Sequence, residues 1–483
     1  MKTRIQKILE NYNNVPMPAR AAFWYMICNV LQRGISLITT PIFSRLLTPD
    51  EYGVYSIYQA WYQIIIIFAT LNLFYGVYNK GMTEWPDDRK RFTASMQGLT
   101  TVITLVFFVV YIVTPDFWNG VLGLDSIYVY AMFVEILCVP AYSFWSAGQR
   151  YDYKYRKLIL VTLIIVISTP TLGIFCVLNA RNRAVARVLS AVFVQICVGL
   201  FFYIYNFVKG KCFFIKKYWM YALEFNLPLI PHYLSSTILN QADRLMINSM
   251  VGTGEAAVYS VSYNVATIVT IFTTALTNTF TPYMYKAIKN KKMEGIRKNA
   301  SYLMLMVGVV ATVIMAFGPE IIKVFATSSY YEAVWIIPPV AAGIYFKFLY
   351  PLFSNFEFYY ENTKFVMVAS CVGAALNVLL NYIFIPIFGY YAAGYTTLFC
   401  YIVYSFAHYF FYKVIISNNN LEKAFDMRVV CGISVVMLIV MVVMTILYNF
   451  TMIRYVACFI LCLLIILNRK GIVLKIKEIR NNK

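Results

Sequence analysis

Arg33, Glu135, Asp243, Arg244 and Lys347 each stand inside a long stretch of otherwise apolar residues, and Glu320 and Lys323 stand near the end of another. A charge at the centre of a membrane helix costs about 2.5 to 3.5 kcal/mol on insertion scales, so each of these needs a partner or a purpose. Arg33, Arg244 and Lys347 are the residue types that hold an anion in a low-dielectric cavity. Arginine adds geometry, because its planar fork meets a phosphate or carboxylate with two parallel hydrogen bonds. Glu135 and Asp243 are the types that couple to a proton or a small cation. The competing reading for each is structural, an inter-helix ion pair that carries no ligand. Asp243 and Arg244 are adjacent, hence about 100° apart around a helix, and are poor partners for each other. Glu320 and Lys323, three residues apart, can pair on one helix face, and there the structural reading is the better one.

Other chemistry is sparse. The 483 residues include 2 histidines, His232 and His408, which argues against a histidine-based catalytic or metal centre. The 10 cysteines are scattered without a CxxC pair. Cys458 and Cys462 lie one helical turn apart and read as packing. The sequence therefore suggests no disulfide framework, no metal site, no cofactor and no catalytic residue.

The elements that must position the charges are helices. Apolar stretches of about 20 residues, the length that crosses a hydrocarbon core of roughly 30 Å, recur along almost the whole chain, about 14 times. They are read at 21–43, 54–78, 94–114, 127–147, 158–178, 185–207, 227–250, 258–283, 301–323, 333–353, 366–387, 390–412, 428–448 and 452–468. With 61% hydrophobic and 13% charged residues, the chain is an all-α polytopic membrane protein with little mass outside the bilayer. The polar lead before the first span contains Lys2, Arg4 and Lys7, and no small-residue cleavage pattern follows, so that span reads as a retained helix.

The net charge of +20 does not indicate nucleic acid, because the basic residues sit in loops between spans. They alternate. Lys80, Arg89, Lys90 and Arg91 occupy one loop; Arg150, Lys154, Arg156 and Lys157 the next but one; then Lys209, Lys211, Lys216 and Lys217; then Lys286, Lys289, Lys291, Lys292, Arg297 and Lys298. The positive-inside rule makes these loops and both termini cytoplasmic. Arg181, Arg183 and Arg187 break the alternation: they attract an anion outside, or the fifth and sixth spans are misplaced. The tail 472–483 alternates apolar and basic residues, as a segment lying on the inner leaflet or a solvated tail would. Aromatic residues make up 18% of the chain, and Tyr and Trp around 55–62 read as interfacial anchors.

Val54-Tyr55-Ser56-Ile57 opens the second span and Val258-Tyr259-Ser260-Val261 the eighth, about 204 residues later, each after a polar, glycine-containing turn. Six spans per repeat gives two six-helix lobes of the same orientation around a central cavity, the layout of an alternating-access transporter, plus two extra C-terminal helices. The expected divisions are 1–208, 209–413 and 414–483. Prolines bend several spans; Pro228 and Pro231, near the start of the seventh, serve either as a hinge or as a static kink.

The run Arg45-Leu46-Leu47-Thr48-Pro49-Asp50-Glu51-Tyr52-Gly53-Val54-Tyr55 resembles the turn after the first helix in polysaccharide-type lipid flippases, the Wzx proteins of the multidrug/oligosaccharidyl-lipid/polysaccharide exporter superfamily. Leu227-Pro228-Leu229-Ile230-Pro231, then Asp243-Arg244 and Tyr259-Ser260, is similar to the start of that family's second lobe. Asn377-Val378-Leu379-Leu380-Asn381, Ile385-Pro386-Ile387-Phe388-Gly389 and Ala392-Ala393 resemble its eleventh-to-twelfth helix segment. The resemblance covers most of the first 12 spans and rests on order and spacing. It implies a flippase in the bacterial inner membrane that moves an undecaprenyl-pyrophosphate-linked oligosaccharide to the outer leaflet, for O-antigen, capsule or exopolysaccharide. It also implies a coupling ion (H+ or Na+), contact with membrane lipids, and the polysaccharide polymerase and chain-length proteins as partners.

On that resemblance, Arg33, Arg244 and Lys347 suit a pyrophosphate headgroup. The repeat offset places Arg33 about six residues, or roughly 9 Å, deeper toward the cytoplasm than the counterpart of Asp243, so Arg33 and Arg244 would line successive depths. A cationic-drug exporter of the same superfamily is the alternative; it favours acidic residues, and the first span contains none. A membrane glycosyltransferase or polymerase would need an acidic motif such as DxD in a loop, and the loops are short and hold none.

Overall fold

The computed structural model describes residues 17–467, apart from the side chains of Pro18, Ala19, Ala22, Asn29, Arg33, Thr363, Cys458 and residues 461–467. The basic tail 472–483 and the Cys458–Cys462 pair read from the sequence lie outside the described residues. The regular structure among the described residues is helical, without a strand. Every span read from the sequence has a helix, and ten helices are long and apolar enough to cross a membrane.

The chain divides into two compact units, one made of residues up to Thr39 and Ile57–Leu234, the other of Thr40–Ser56 and the residues from Ser235 onward. The first unit holds most of α1 (Met17–Leu46), the greater part of α2 (Pro49–Thr70), and then α3 (Gly76–Glu84), α4 (Arg89–Val113), α5 (Pro115–Leu122), α6 (Ser126–Tyr151), α7 (Tyr155–Asn179), α8 (Arg183–Gly210) and α9 (Lys216–Asn226). Without a hydrophobic drive between helices in lipid, close backbone approach and side-chain hydrogen bonds must hold them. Gly199 of α8 supplies the first: a Cβ there would stand 2.7 Å from the backbone of Cys138 on α6. Asn206 supplies the second, donating to the Gln97 side chain of α4 at 2.8 Å and to the Ala141 carbonyl of α6 at 3.0 Å.

The span read at 54–78 is broken. α2 stops at Thr70, Leu71 and Asn72 take left-handed backbone angles (φ 49° and 51°), and the chain restarts as α3. Asparagine tolerates that region, whereas the leucine is held there from outside: the Asn226 amide of α9 donates to the Leu71 carbonyl. α9 itself falls in a stretch read as loop. Its Tyr218, Ala222 and Asn226 recur at four-residue spacing and are buried, while Lys216 and Lys217 are exposed, the pattern of a surface-lying amphipathic helix. The Tyr218 hydroxyl donates to Asp88 at 2.5 Å; burial, with that bond second, pushes its pKa up to about 12. α7 ends at Asn179 and α8 begins at Arg183, so the fifth and sixth spans are where the sequence reads them and the Arg181 cluster is not an error of boundary.

The second unit holds the corner between α1 and α2, then α10 (Ile230–Met250), α11 (Thr253–Lys289), α12 (Met293–Ala316), α13 (Gly318–Phe325), α14 (Ile337–Tyr359), α15 (Thr363–Phe388), α16 (Tyr391–Asn418), α17 (Met427–Leu447) and α18 (Thr451–Leu467). α14 is buried along almost its whole length and packs most extensively on α16. The span read at 301–323 splits at Phe317 because Pro319 opens α13 and has no N–H to continue α12. The corner explains its sequence. Thr48 and Glu51 form a capping box: the Thr48 N–H donates to Glu51 at 2.8 Å and the Glu51 N–H to the Thr48 hydroxyl at 3.3 Å, with Pro49 in the first helical position. Ser44 and Arg45 donate to the carbonyls of Phe325 and Val324 at 2.7 Å each. Gly53 has no room for a side chain, since a Cβ would fall 2.2 Å from the Thr253 carbonyl oxygen. The two glycine-bearing turns of the repeat therefore pack against one another.

Candidate functional site

Asp243 is the most elaborately held charge of the second unit. It lies on α10, 2% exposed, and its two oxygens each accept two hydrogen bonds. Oδ1 takes the amides of Asn377 (3.2 Å) and Asn381 (2.7 Å) from α15; Oδ2 takes the hydroxyls of Tyr259 (2.5 Å) from α11 and Thr397 (2.7 Å) from α16. All four donors are neutral. Thr396 donates to the Asn381 carbonyl, which completes the cluster. Asn377 and Asn381 are four apart, so they share a helix face. Sequence reading took these two only as part of a resemblance; two asparagines at that spacing in an apolar helix were themselves a signal that something polar faces them.

One turn of α10 carries the cationic chemistry. Asn240 and Arg244, four apart, lie on one face, about 6 Å along the axis. The Lys347 ammonium of α14 donates to the Asn240 carbonyl at 2.6 Å and stands 5.3 Å from the Tyr401 ring of α16. Arg244 donates to Gln241 at 3.0 Å, and its guanidinium lies 5.0 Å from the Tyr263 ring of α11. Its Nε has no hydrogen-bond partner among the described residues. Both cations are half-buried, and among the described residues no carboxylate is within ion-pair distance of either. Neutral carbonyls and ring faces hold them in place without cancelling their charge, which leaves it available to an anion.

Glu135 belongs to the first unit. It is buried on α6 and accepts the Tyr58 hydroxyl of α2 at 2.6 Å. Tyr58 is fully buried, so this aromatic of the 55–62 group faces the unit's interior and not an interface; Trp61 is half-buried and donates to the Leu122 carbonyl at 2.8 Å. Arg33 lies on α1, and its side chain is outside the described residues. Pro228 sits in the short turn Leu227–Leu229 and Pro231 in the first turn of α10, where a missing N–H costs nothing; the unit boundary follows at Leu234.

Glu320 pairs differently from the expectation. It accepts from Arg454 of α18 at 2.5 Å and from Tyr455 at 2.9 Å, while Lys323 lies over the Tyr331 ring at 5.9 Å. Arg454 is 2% exposed, and a buried guanidinium requires a counter-charge more than an exposed lysine does. A second pair unforeseen in the sequence, His408 of α16 with Glu357 of α14, is wholly buried.

Comparison with known proteins places this geometry. A family model described as polysaccharide biosynthesis protein matches residues 19–288, and the MatE model matches 228–383. A Haemophilus influenzae protein called Lsg locus putative protein 1 is 23% identical over 373 residues, covering 73% of this chain and 88% of that protein. Among solved structures, the lipid II flippase MurJ in an inward closed conformation superposes with a TM-score of 0.67 at 15% identity, covering 92% of this chain and 99% of that one. An inward-facing multidrug resistance MATE family transporter of the MOP superfamily gives 0.61 at 13% identity, covering 80% and 95%. With a family model matching more than half of its length, the chain belongs to the polysaccharide biosynthesis protein family and has the fold of the MOP-superfamily transporters.

Proposed function

We propose that this transporter flips an undecaprenyl-pyrophosphate-linked oligosaccharide from the inner to the outer leaflet of the bacterial inner membrane by alternating access, for assembly of O-antigen, capsule or exopolysaccharide. The observation that carries the reading is the pair of half-buried cations, Arg244 and Lys347, held by neutral groups and rings. A membrane protein keeps such charges uncancelled where an anion arrives, and a pyrophosphate offers the oxygen array that a guanidinium fork and an ammonium recognise. Arg33, on α1 in the first unit, is a further candidate for binding the anion. The family membership and the likeness to a lipid II flippase support the same class of cargo.

Asp243 and Glu135 are the coupling candidates. If its amides turn, the Asp243 cluster presents the carboxylate, the Asn377 and Asn381 carbonyls and the Thr397 hydroxyl, an all-oxygen set suited to Na+ as well as to a proton. Pro228 and Pro231, just ahead of the unit boundary, would let α10 pivot between access states. Both termini would be cytoplasmic by the positive-inside rule, and a polysaccharide polymerase and chain-length proteins would be its partners.

Cationic-drug export is the second reading, favoured by the MatE match and by two buried carboxylates, Glu135 and Asp243, that have no ion pair among the described residues. Variants separate them. Arg244→Ala and Lys347→Ala, at unchanged membrane level, should abolish surface polysaccharide in a deletion strain complemented with each. Wild-type polysaccharide from both would sink the anion-site reading.

A further inference from the structure

Glu357 and His408 are each 0% exposed, and His408 Nδ1 lies 2.7 Å from Glu357 Oε1. Glu357 Oε2 and His408 Nε2 have no hydrogen-bond partner among the described residues, and neither group has a second ion-pair partner there. The titratable side chains that face the pair are Tyr350 of α14 and Tyr404 of α16, whose ring centroids each stand 4.6 Å from the imidazole. Tyr285 of α11 is felt by Tyr350, and Arg297 of α12 by Tyr412, one turn beyond His408. From α15 come Ser370, bonded to the Tyr404 hydroxyl, and Phe365, stacked on Phe411.

These surroundings decide the charge state. With a neutral imidazole the pair is a buried monoanion whose Glu357 oxygens receive one hydrogen bond. One added proton at Nε2 makes an imidazolium and a carboxylate, net neutral, with the cation between two aromatic faces. We propose that His408 and Glu357 form a proton-binding site in the second unit, which binds one proton at Nε2 and releases it from the same atom. Nδ1 keeps its proton throughout and donates it to Glu357.

The position gives the site a use. Thr397, Tyr401, Tyr404, Ser405 and His408 lie along one face of α16. Thr397 contacts Asp243, Tyr401 reaches the carbonyls of Leu239 and Asn240, and Tyr404 and His408 contact each other. The proton site therefore stands about 16 Å from the Asp243 cluster on a continuous polar stripe. Its role in coupling rests on the transporter reading; the site itself does not.

The chain has two histidines, so nitrogen NMR of histidine-labelled protein in lipid nanodiscs reads His408 directly, with His232→Gln to assign it. At neutral pH the wild type should show both His408 nitrogens protonated, and Glu357→Gln should convert the signal to a neutral imidazole. A neutral imidazole in the wild type from about pH 5 to 8 would overturn the proposal, as would an imidazolium that survives Glu357→Gln. If Glu357→Gln does not fold, the through-space correlation between the His408 Nδ1 proton and the Glu357 carboxylate replaces it: its presence supports the pair and its absence refutes it. None of these readouts needs a substrate, so failure here is distinct from failure of the flippase reading.

Discussion

Replacing Asp243 with Asn and with Ala should give two different proteins. In Asp243→Ala four donors on three helices lose their acceptor at once: Tyr259, Asn377, Asn381 and Thr397. Hydrogen bonds between membrane helices average about 0.6 kcal/mol and reach about 1.7, so losing all four costs about 2 to 7 kcal/mol. In Asp243→Asn the amide oxygen can stay at the Oδ1 position and keep the two asparagine amides. The new NH2 then faces Tyr259 and Thr397, whose hydroxyls rotate from donating to accepting. What is lost is the charge assistance, roughly half the strength of each bond, or about 1 to 3 kcal/mol. Thermal unfolding of purified protein in one detergent, with polysaccharide measured in the complemented strain, separates the cases. We expect Asp243→Asn to unfold between the wild type and Asp243→Ala while losing transport, because it keeps the cluster and removes the charge. Equal destabilisation by both substitutions would refute the assignment of donors, and a fully active Asp243→Asn would remove this carboxylate from coupling.

Glu320→Ala should destabilise by about 3 kcal/mol by stranding Arg454, whereas Lys323→Ala should be nearly silent in the same unfolding assay. Gly53→Val should cost about 1 to 3 kcal/mol or prevent folding, because its side chain meets the Thr253 carbonyl, while Gly120→Ala, with nothing within 4 Å, should leave the unfolding temperature unchanged. Thr48→Ala opens the capping box and should lower stability by about 1 kcal/mol, with Thr48→Ser restoring it. Lys347→Arg should retain partial polysaccharide output and Lys347→Gln none if charge is what the Asn240 and Tyr401 contacts position, a difference read from the glycan signal per unit of membrane protein.

The long helices were legible because hydrocarbon thickness imposes one length on every span, and each apolar stretch read from the sequence has a helix; the short α5 and α9, which lie between those stretches, were not. The breaks were less so. Leu71 and Asn72 turn the chain because Asn226, distant in sequence, holds the Leu71 carbonyl, and no local window contains both. Charges in spans were easy to find, but their partners were not. Glu320 has Lys323 three residues away and chooses Arg454, far along the chain, since burial sets the demand for a counter-charge and burial is a tertiary property. Tyr58 looked like an interfacial aromatic until its hydroxyl was found on Glu135. The His408–Glu357 pair carries no sequence signal at all: its members sit on different helices, and each alone reads as an ordinary polar residue near a span end.

The measurement that bears most directly on the central claim is a deletion strain in which surface polysaccharide, inner-membrane lipid-linked oligosaccharide and susceptibility to cationic drugs are measured together. Flipping predicts lost surface polysaccharide, accumulated full-length lipid-linked repeat units and unchanged drug susceptibility. Unchanged glycan with raised drug sensitivity would contradict the account and leave Arg244 and Lys347 as structural cations in a drug exporter.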